Sequence, residues 1–340
     1  MHADCQLPTA KLPTLTFLSG QQGASINSIG QFYHPDFPFE LRWADVLKWK
    51  TSPNPYSEQK KRDTWRPTVV KDDSFLGHSH DVKVWLGHAS FFFRLNGLNI
   101  LVDPIFGKLT PFTPRHSELP VRPDQFRKLD LILVTHDHRD HCDEASLRLL
   151  LRNNPRAQVV TGLGMAKVIQ PWASGQKIVE MDWHQQFDNQ SLGLRITYLP
   201  TRHWCRRWLT DMNVRLWGAF VFETPDTTIY FGGDSGYGPH FQHTAALFPR
   251  IDFAFLGIGA FAPVWFMKSN HMSPADAWQA FSDLGARKLV PMHYGTFDLS
   301  DEPIGEPERL LREIAADSNL VDFLTIGESK PLRTLASIYS

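Results

Sequence analysis

Cysteine is scarce in this chain. Cys5, Cys142 and Cys205 are all it has in 340 residues, too few and too scattered for a disulfide framework. An excess of one charge is missing as well. Thirty-five Lys and Arg face 36 Asp and Glu, so the net charge of −1 supplies neither a basic field for nucleic acid nor an acidic solvating tail. The lone basic cluster is the short Lys60–Lys61–Arg62 run. No stretch approaches the roughly 20 uninterrupted apolar residues that a bilayer crossing needs, and the first 20 residues lack a basic segment leading into a long apolar core. These absences set the expectation of a reduced, cytoplasmic protein with no nucleic-acid partner. Repeats and low-complexity tracts are absent too. With 42% apolar and 21% charged residues the chain is not disordered, and its length suits about two domains or two halves of one large domain. What it has in quantity is histidine: 15 in all, three of them within six residues.

Residues 1–75 are rich in Pro, Ser, Lys and aromatics, and only Phe39 to Trp49 reads as a short helix, so this segment is expected to be an arm wrapping the core. A single folded domain over 76–340 is expected to follow. From Val82 onward, short β-type runs alternate with turns: 82–87, 90–95, 98–103, 129–135, 194–201, 217–224, 227–233, 251–258 and 288–292. Asn96-Gly97 is a hairpin signal. Asp143 opens a helix that runs to Asn153 with Leu147, Leu150 and Leu151 on one face. A second helix opens at Ser273 and stops at Gly285, and a third covers 307–317. Strand clusters with interspersed helices imply a layered α/β protein, sheets inside and helices outside. Strand direction stays open at this level.

The segment with most chemistry is His136-Asp137-His138-Arg139-Asp140-His141, directly after the apolar run 129–135. In an extended turn His136 and His138 project to one side, while Asp140 and His141 follow at the turn into the helix and face a second position. Imidazole nitrogens with a hard carboxylate suit Zn²⁺ or a neighbouring first-row metal. Asp103, His203, Asp234 and His293 each follow a strand-like run, and carboxyl ends of strands in layered folds collect in one crevice. Asp234 lies in GGDSGYG, where flanking glycines permit close backbone approach, and its two oxygens can bridge two ions.

With these positions the sequence resembles the metallo-β-lactamase superfamily of dinuclear hydrolases, and more closely the N-acylphosphatidylethanolamine-hydrolysing phospholipase D family with its bacterial relatives. The carriers are WLGHAS (85–90), LVDPIFG (101–107), THDHRDH (135–141), HWCRR (203–207), LWGAF (216–220), FGGDSGY (231–237), IGAFAPVWFMKSNHMSPADA (258–277) and HYGTFD (293–298). The resemblance implies a four-layer αββα fold with two mixed sheets between helices. It implies two zinc ions per chain, with iron or manganese as alternatives. One would be held by His136, His138 and His203, the other by Asp140, His141 and His293, with Asp234 bridging. His271 matches a histidine beside the substrate phosphate, and His88 and Asp103 match residues that support the ligands. Asp140, Asp234 and His271 are thus the expected catalytic residues, and a homodimer is expected from the relatives.

The implied chemistry is attack of a metal-bridging hydroxide on the phosphorus of a lipid diester resembling N-acylphosphatidylethanolamine. Trp204, Phe261, Trp265, Phe266 and Met267 are candidate substrate contacts, as an acyl-chain groove or as a patch that touches the inner membrane face. Equally open on composition is that these rings are core or seal the arm. A lactonase or other carbonyl-ester hydrolase on the same scaffold is the rival activity, since the scaffold does not set the reaction. A non-catalytic metal-binding protein is the third reading. The remaining histidines, His2, His34, His78, His80, His116, His184, His240 and His243, are expected to be surface or packing residues.

Overall fold

A computed structural model describes residues 14–39, 42–189, 193–316 and 318–332. Cys5 and His2 lie outside them. Two mixed seven-stranded sheets make up the interior. In one, Ser329–Pro331, Val82–Gly87, Ser90–Leu95 and Leu98–Val102 pair antiparallel, and Leu131–Val134, Gln158–Gly162 and Ile178–Met181 continue in parallel. In the other, Thr14–Phe17, Gln185–Asn189, Leu194–Leu199, Ala219–Glu223 and Thr228–Phe231 are antiparallel, and Phe253–Gly257 and Lys288–Met292 close the edge in parallel.

Alternation along the strands shows how the layers stack. In Ser90–Leu95, Phe91 and Phe93 face the second sheet and meet Phe231 and Phe255 with ring centroids 5.0–6.4 Å apart. Phe92 faces the opposite way, into a cluster with Ile132, Val134 and the Leu147, Leu150 and Leu151 stripe of the helix Glu144–Asn153. On the far side, the helix Pro274–Asp283 packs against Phe253–Gly257 and between the helices His240–Leu247 and Glu306–Ala315. The result is the metallo-β-lactamase fold, helix–sheet–sheet–helix, in the α/β class the sequence implied.

The helix starts follow local chemistry. Asp143 accepts from Ser146 N, and Ser273 and Asp276 form a reciprocal capping box with Pro274 in the first turn. The helix expected over 307–317 is observed as Glu306–Ala315, and residue 317 lies outside the described residues.

The N-terminal segment is more structured than an irregular arm. Thr14–Phe17 adds an edge strand to the second sheet, a short hairpin follows, and the helices Trp43–Thr51 and Ser57–Arg62 come next. The helix expected from Phe39 begins at Trp43, with residues 40–41 outside the described set. This segment is tied to the loop after residue 297: Trp49 Nε1 donates to Asp301 Oδ1 at 3.0 Å and Asn54 Nδ2 to the Asp301 carbonyl at 2.9 Å. Among the described residues, no helix is long and apolar enough to cross a membrane.

Candidate metal centre

The parallel strands of both sheets end at one edge, so Asp103, Thr135, Asp234 and His293 are delivered to a common crevice by the residues that follow each strand. Backbone strain collects there. His88, Asp103 and His293 all have left-handed φ values, 53°, 44° and 62°. Gly233, at φ 56°, is needed for a second reason: a Cβ there would stand 3.1 Å from the Thr135 side chain and 3.2 Å from the Gly218 carbonyl.

Two sets of donor atoms that share Asp234 converge in this crevice. In the first, His138 Nδ1 stands 2.9 Å from His136 Nε2 and 3.1 Å from His203 Nε2, and Asp234 Oδ2 lies 3.9 and 3.7 Å from the same two nitrogens. In the second, Asp234 Oδ1 is 3.2 Å from both His141 Nε2 and His293 Nε2, and Asp140 Oδ2 is 3.7 and 3.5 Å from them. Asp234 therefore offers one oxygen to each set. His271, on the open side, has Nδ1 at 3.8 Å from Asp234 Oδ2 and keeps 19% of its side chain exposed.

Hydrogen bonding on the outer side of each ring decides which nitrogen faces inward. Asp103 is fully buried and accepts from Thr135 N at 2.8 Å, Thr135 Oγ1 at 2.7 Å and His141 Nδ1 at 2.7 Å. Because the Thr135 hydroxyl proton goes to Asp103, its oxygen accepts from His136 Nδ1 at 2.9 Å. One carboxylate thus orients two imidazoles. His203 Nδ1 donates to the Asn270 carbonyl at 3.1 Å. His88 Nε2 is 3.0 Å from Asp140 Oδ2 and holds that carboxylate from behind.

These assignments leave bare lone pairs facing each other. His136 Nε2 and His203 Nε2 both point at His138 Nδ1, which has one proton at most to give. His141 Nε2 faces the Asp234 and Asp140 carboxylates, so without a cation between them it must itself take up a proton. His141 Nε2, His293 Nε2 and Asp234 Oδ1 are buried without a hydrogen-bond partner among the described residues. Such a cluster is costly unless a cation sits at its centre. Ligands of one tetrahedral zinc ion stand about 3.3 Å apart, which the observed spacings bracket. The donor chemistry, imidazole and carboxylate, fits a divalent first-row metal.

Electrostatics point the same way. Burial disfavours charge throughout, yet Asp140 is held well below the ordinary carboxylate range by His141, His293 and His88, and Asp234 likewise by His141 and His293. Against the same burial, Asp234, Asp140 and Asp103 hold His141 well above the ordinary histidine range, and Asp234 and Asp140 push His293 up to about 9. Burial keeps His136 and His203 neutral, well below their usual range, and pushes His271 down to about 4. The site calls for positive charge between its carboxylates.

All of the expected ligand positions, with His88, Asp103 and His271, come together here. The aromatic candidates divide. Trp204 lies against His138 (centroids 4.5 Å) and stacks on Phe39 at 5.2 Å. Phe266 packs on Trp49 at 5.0 Å, and Trp265 is 45% exposed beneath Lys48. Phe261 and Met267 are buried, the arrangement expected where these rings belong to the core. The helical turn Val264–Met267 directs its first two residues outward and Met267 inward, and Glu302 accepts from the backbone N–H groups of Phe261 and Ala262.

The sequence reading missed the clamp beneath the ligand loop. Asp137, between two ligand histidines, is fully buried with Oδ2 2.5 Å from Arg215 Nε, and Arg215 also binds Asp211. Arg207 Nη1 donates to the carbonyls of Asp137 and Cys142 at 3.0 and 2.9 Å. Cys142 and Cys205 are buried free thiols beside this clamp.

Residues 98–294 match the Beta-lactamase superfamily domain. The chain belongs to that superfamily. Within it, the N-acyl-phosphatidylethanolamine-hydrolyzing phospholipase D 1 of Caenorhabditis elegans is 29% identical over 283 residues, covering 79% of this chain and 80% of that protein. An uncharacterized protein of Mycobacterium tuberculosis is 34% identical over 237 residues, 67% of this chain but only 62% of the relative's length. Igni18, a metallo hydrolase of Ignicoccus hospitalis, superposes with a TM-score of 0.57 at 20% identity, over 75% of this chain and 99% of its own, a likeness of fold. Family and clustered donors together make this superfamily member a metal-dependent hydrolase.

Proposed function

We propose that the protein is a dinuclear phosphodiesterase of phospholipase D type that hydrolyses N-acylphosphatidylethanolamine-like lipids. The observation that carries the reading is the division of Asp234, with Oδ1 facing His141 and His293 and Oδ2 facing His136 and His203. His136, His138, His203 and Asp234 would hold one ion, and Asp140, His141, His293 and Asp234 the other. Two divalent zinc ions there, or iron or manganese, would lower the pKa of a shared water from about 15.7 to about 7 and neutralise charge building on phosphoryl oxygens.

The chain's own groups do the rest. Asp103 and Thr135 keep the ligand tautomers, so no reorganisation is needed as charge develops. His271, neutral and part-exposed beside Asp234, is placed to donate a hydrogen bond to the phosphate and to assist the departing alkoxide. Trp204 walls the approach next to His138.

A lipid substrate is supported by the rim. Trp43, Leu47, Trp208 and Trp265 are exposed, and cations lie over three of these rings: Arg206 over Trp43, Arg139 over Trp208 and Lys48 over Trp265. Exposed tryptophans beside cations suit peripheral contact with an anionic bilayer interface. The Caenorhabditis elegans relative, named for N-acyl-phosphatidylethanolamine hydrolysis, supports the same substrate class.

The test is metal analysis of the purified protein followed by hydrolysis of N-acylphosphatidylethanolamine, an aryl phosphodiester and a lactone. About two ions per chain with turnover of both diesters is expected. Turnover of the lactone alone, or a fully loaded protein with no diester turnover, sinks the proposal.

A further inference from the structure

The loops that support the metal centre are themselves held by one side chain. Arg115, in the segment after the strand Leu98–Val102, sends its guanidinium to three carbonyls: Nη2 to Leu86, Nη1 to Ile105 at 2.9 Å and Nε to Ser117 at 3.1 Å. Leu86 lies two residues before His88, and Ile105 two residues after Asp103. On the dinuclear reading above, we propose that Arg115 is a positioning residue. By spanning these two loops it sets His88 and Asp103, and through them the grip of Asp140 and His141 on one of the two ions.

Backbone pairing leaves this span open. The strands Val82–Gly87 and Leu98–Val102 flank Ser90–Leu95, so they stand about 9.5 Å apart, two strand spacings. Both end at the same edge, and a planar fork of N–H donors can hold the two ends at once, which a compact ammonium cannot. The fit is close: a Cβ on Gly87 would stand 2.3 Å from Arg115 Nη2. Thr296 Oγ1 accepts from His88 N at 2.7 Å and the Thr296 carbonyl from His116 N at 2.8 Å, so residues 115–116 also reach the segment after His293.

The two supporting residues need such a hold. His88 and Asp103 are non-glycine residues with left-handed φ, a conformation that lasts only where the surroundings enforce it. His88 Nε2 backs Asp140 at 3.0 Å, and Asp103 Oδ2 receives His141 Nδ1 at 2.7 Å. Asp140 and His141 belong to the same donor set, so a shift of either loop falls first on that set. Asp103 reaches His136, in the other set, only through Thr135. Burial alone pushes the Arg115 guanidinium down to about 10, with no carboxylate to oppose it. Its desolvation is offset by bonds to carbonyls, so what the residue contributes is their placement.

The experiment is cadmium NMR on the full-length protein loaded with cadmium, while a chelator is titrated in. One set offers three imidazoles and the other two, which gives each ion its own signal, and His203→Ala, which strips a nitrogen from the first set only, assigns them. In Arg115→Ala the ion of the Asp140, His141 and His293 set is expected to leave at about 10–100-fold lower chelator, with the other ion within about threefold of wild type. Ethylguanidinium, which resupplies the missing donors, is expected to restore the lost affinity. Arg115→Lys keeps the charge without the fork and is expected to show the same selective loss. Equal weakening of both ions, unchanged affinity, a loss that ethylguanidinium leaves untouched, or failure of both variants to fold overturns the positioning role. A single cadmium signal in the wild type overturns the dinuclear reading instead.

Discussion

Replacing Arg215 by Met tests whether the ligand loop is held from beneath. Asp137 is fully buried, its Oδ2 lies 2.5 Å from Arg215 Nε, and its Oδ1 has no partner among the described residues. Methionine fills much of the arginine's volume but leaves a carboxylate uncompensated in the interior. Breaking a buried pair from one side costs about 3–5 kcal/mol, whereas removing both charges is close to neutral. Arg215 also binds Asp211, whose side chain is 15% exposed and so stays within reach of water when the arginine is lost. Arg215→Met is therefore expected to lose about 3–5 kcal/mol in urea unfolding, and Arg215→Met/Asp137→Leu to recover most of it. Because Asp137 sits between His136 and His138, the single variant is also expected to purify with less metal. A single variant within about 1 kcal/mol of wild type, or a double variant as damaged as the single, refutes the clamp.

Other expectations follow from the same geometry. Asp234→Ala removes an oxygen from both donor sets, so bound metal is expected to fall at both positions and diester turnover to drop about 100-fold or more; elemental analysis showing one set still full contradicts the shared role. Asp103→Asn keeps the shape but weakens the acceptor for His141 Nδ1 and Thr135 Oγ1, and metal affinity measured by competition with a chelator is expected to fall about 10–100-fold. His34 has a folded pKa lowered to about 4 by burial, so below the unfolded value near 6.5 the unfolded chain takes up a proton that the folded one refuses. Its contribution is intact above about pH 6.5 and lost as the pH falls toward 4, and His34→Gln is expected to flatten that part of the stability profile measured by urea unfolding; superimposable profiles count against it.

Much of the site was legible along the chain because its ligands are clustered by local spacing. The hexapeptide 136–141 carries four of them on one turn, and strand-end positions carry the rest. Capped helices were equally readable, since Asp143 with Ser146 and Ser273 with Asp276 act within a single turn. Strands with mixed composition were not: Gln158–Gly162, Ile178–Met181, Gln185–Asn189 and Thr14–Phe17 have no strong period of their own and form because neighbours offer backbone partners. The aromatic segment 261–267 left groove, patch and core equally open, because its composition says nothing about which rings the turn directs inward.

By itself, then, the sequence determined the kind of chemistry. Imidazole and carboxylate in that order bind a metal because of what those groups are, and that needs no long-range information. Tertiary structure alone decided how the groups are used. The split of Asp234 between two donor sets depends on two sheets ending at one edge, and the Asp137–Arg215 pair joins residues 78 positions apart. Contacts of that reach arise only when burial of the two sheet faces brings the segments together, and no local period in the chain encodes them.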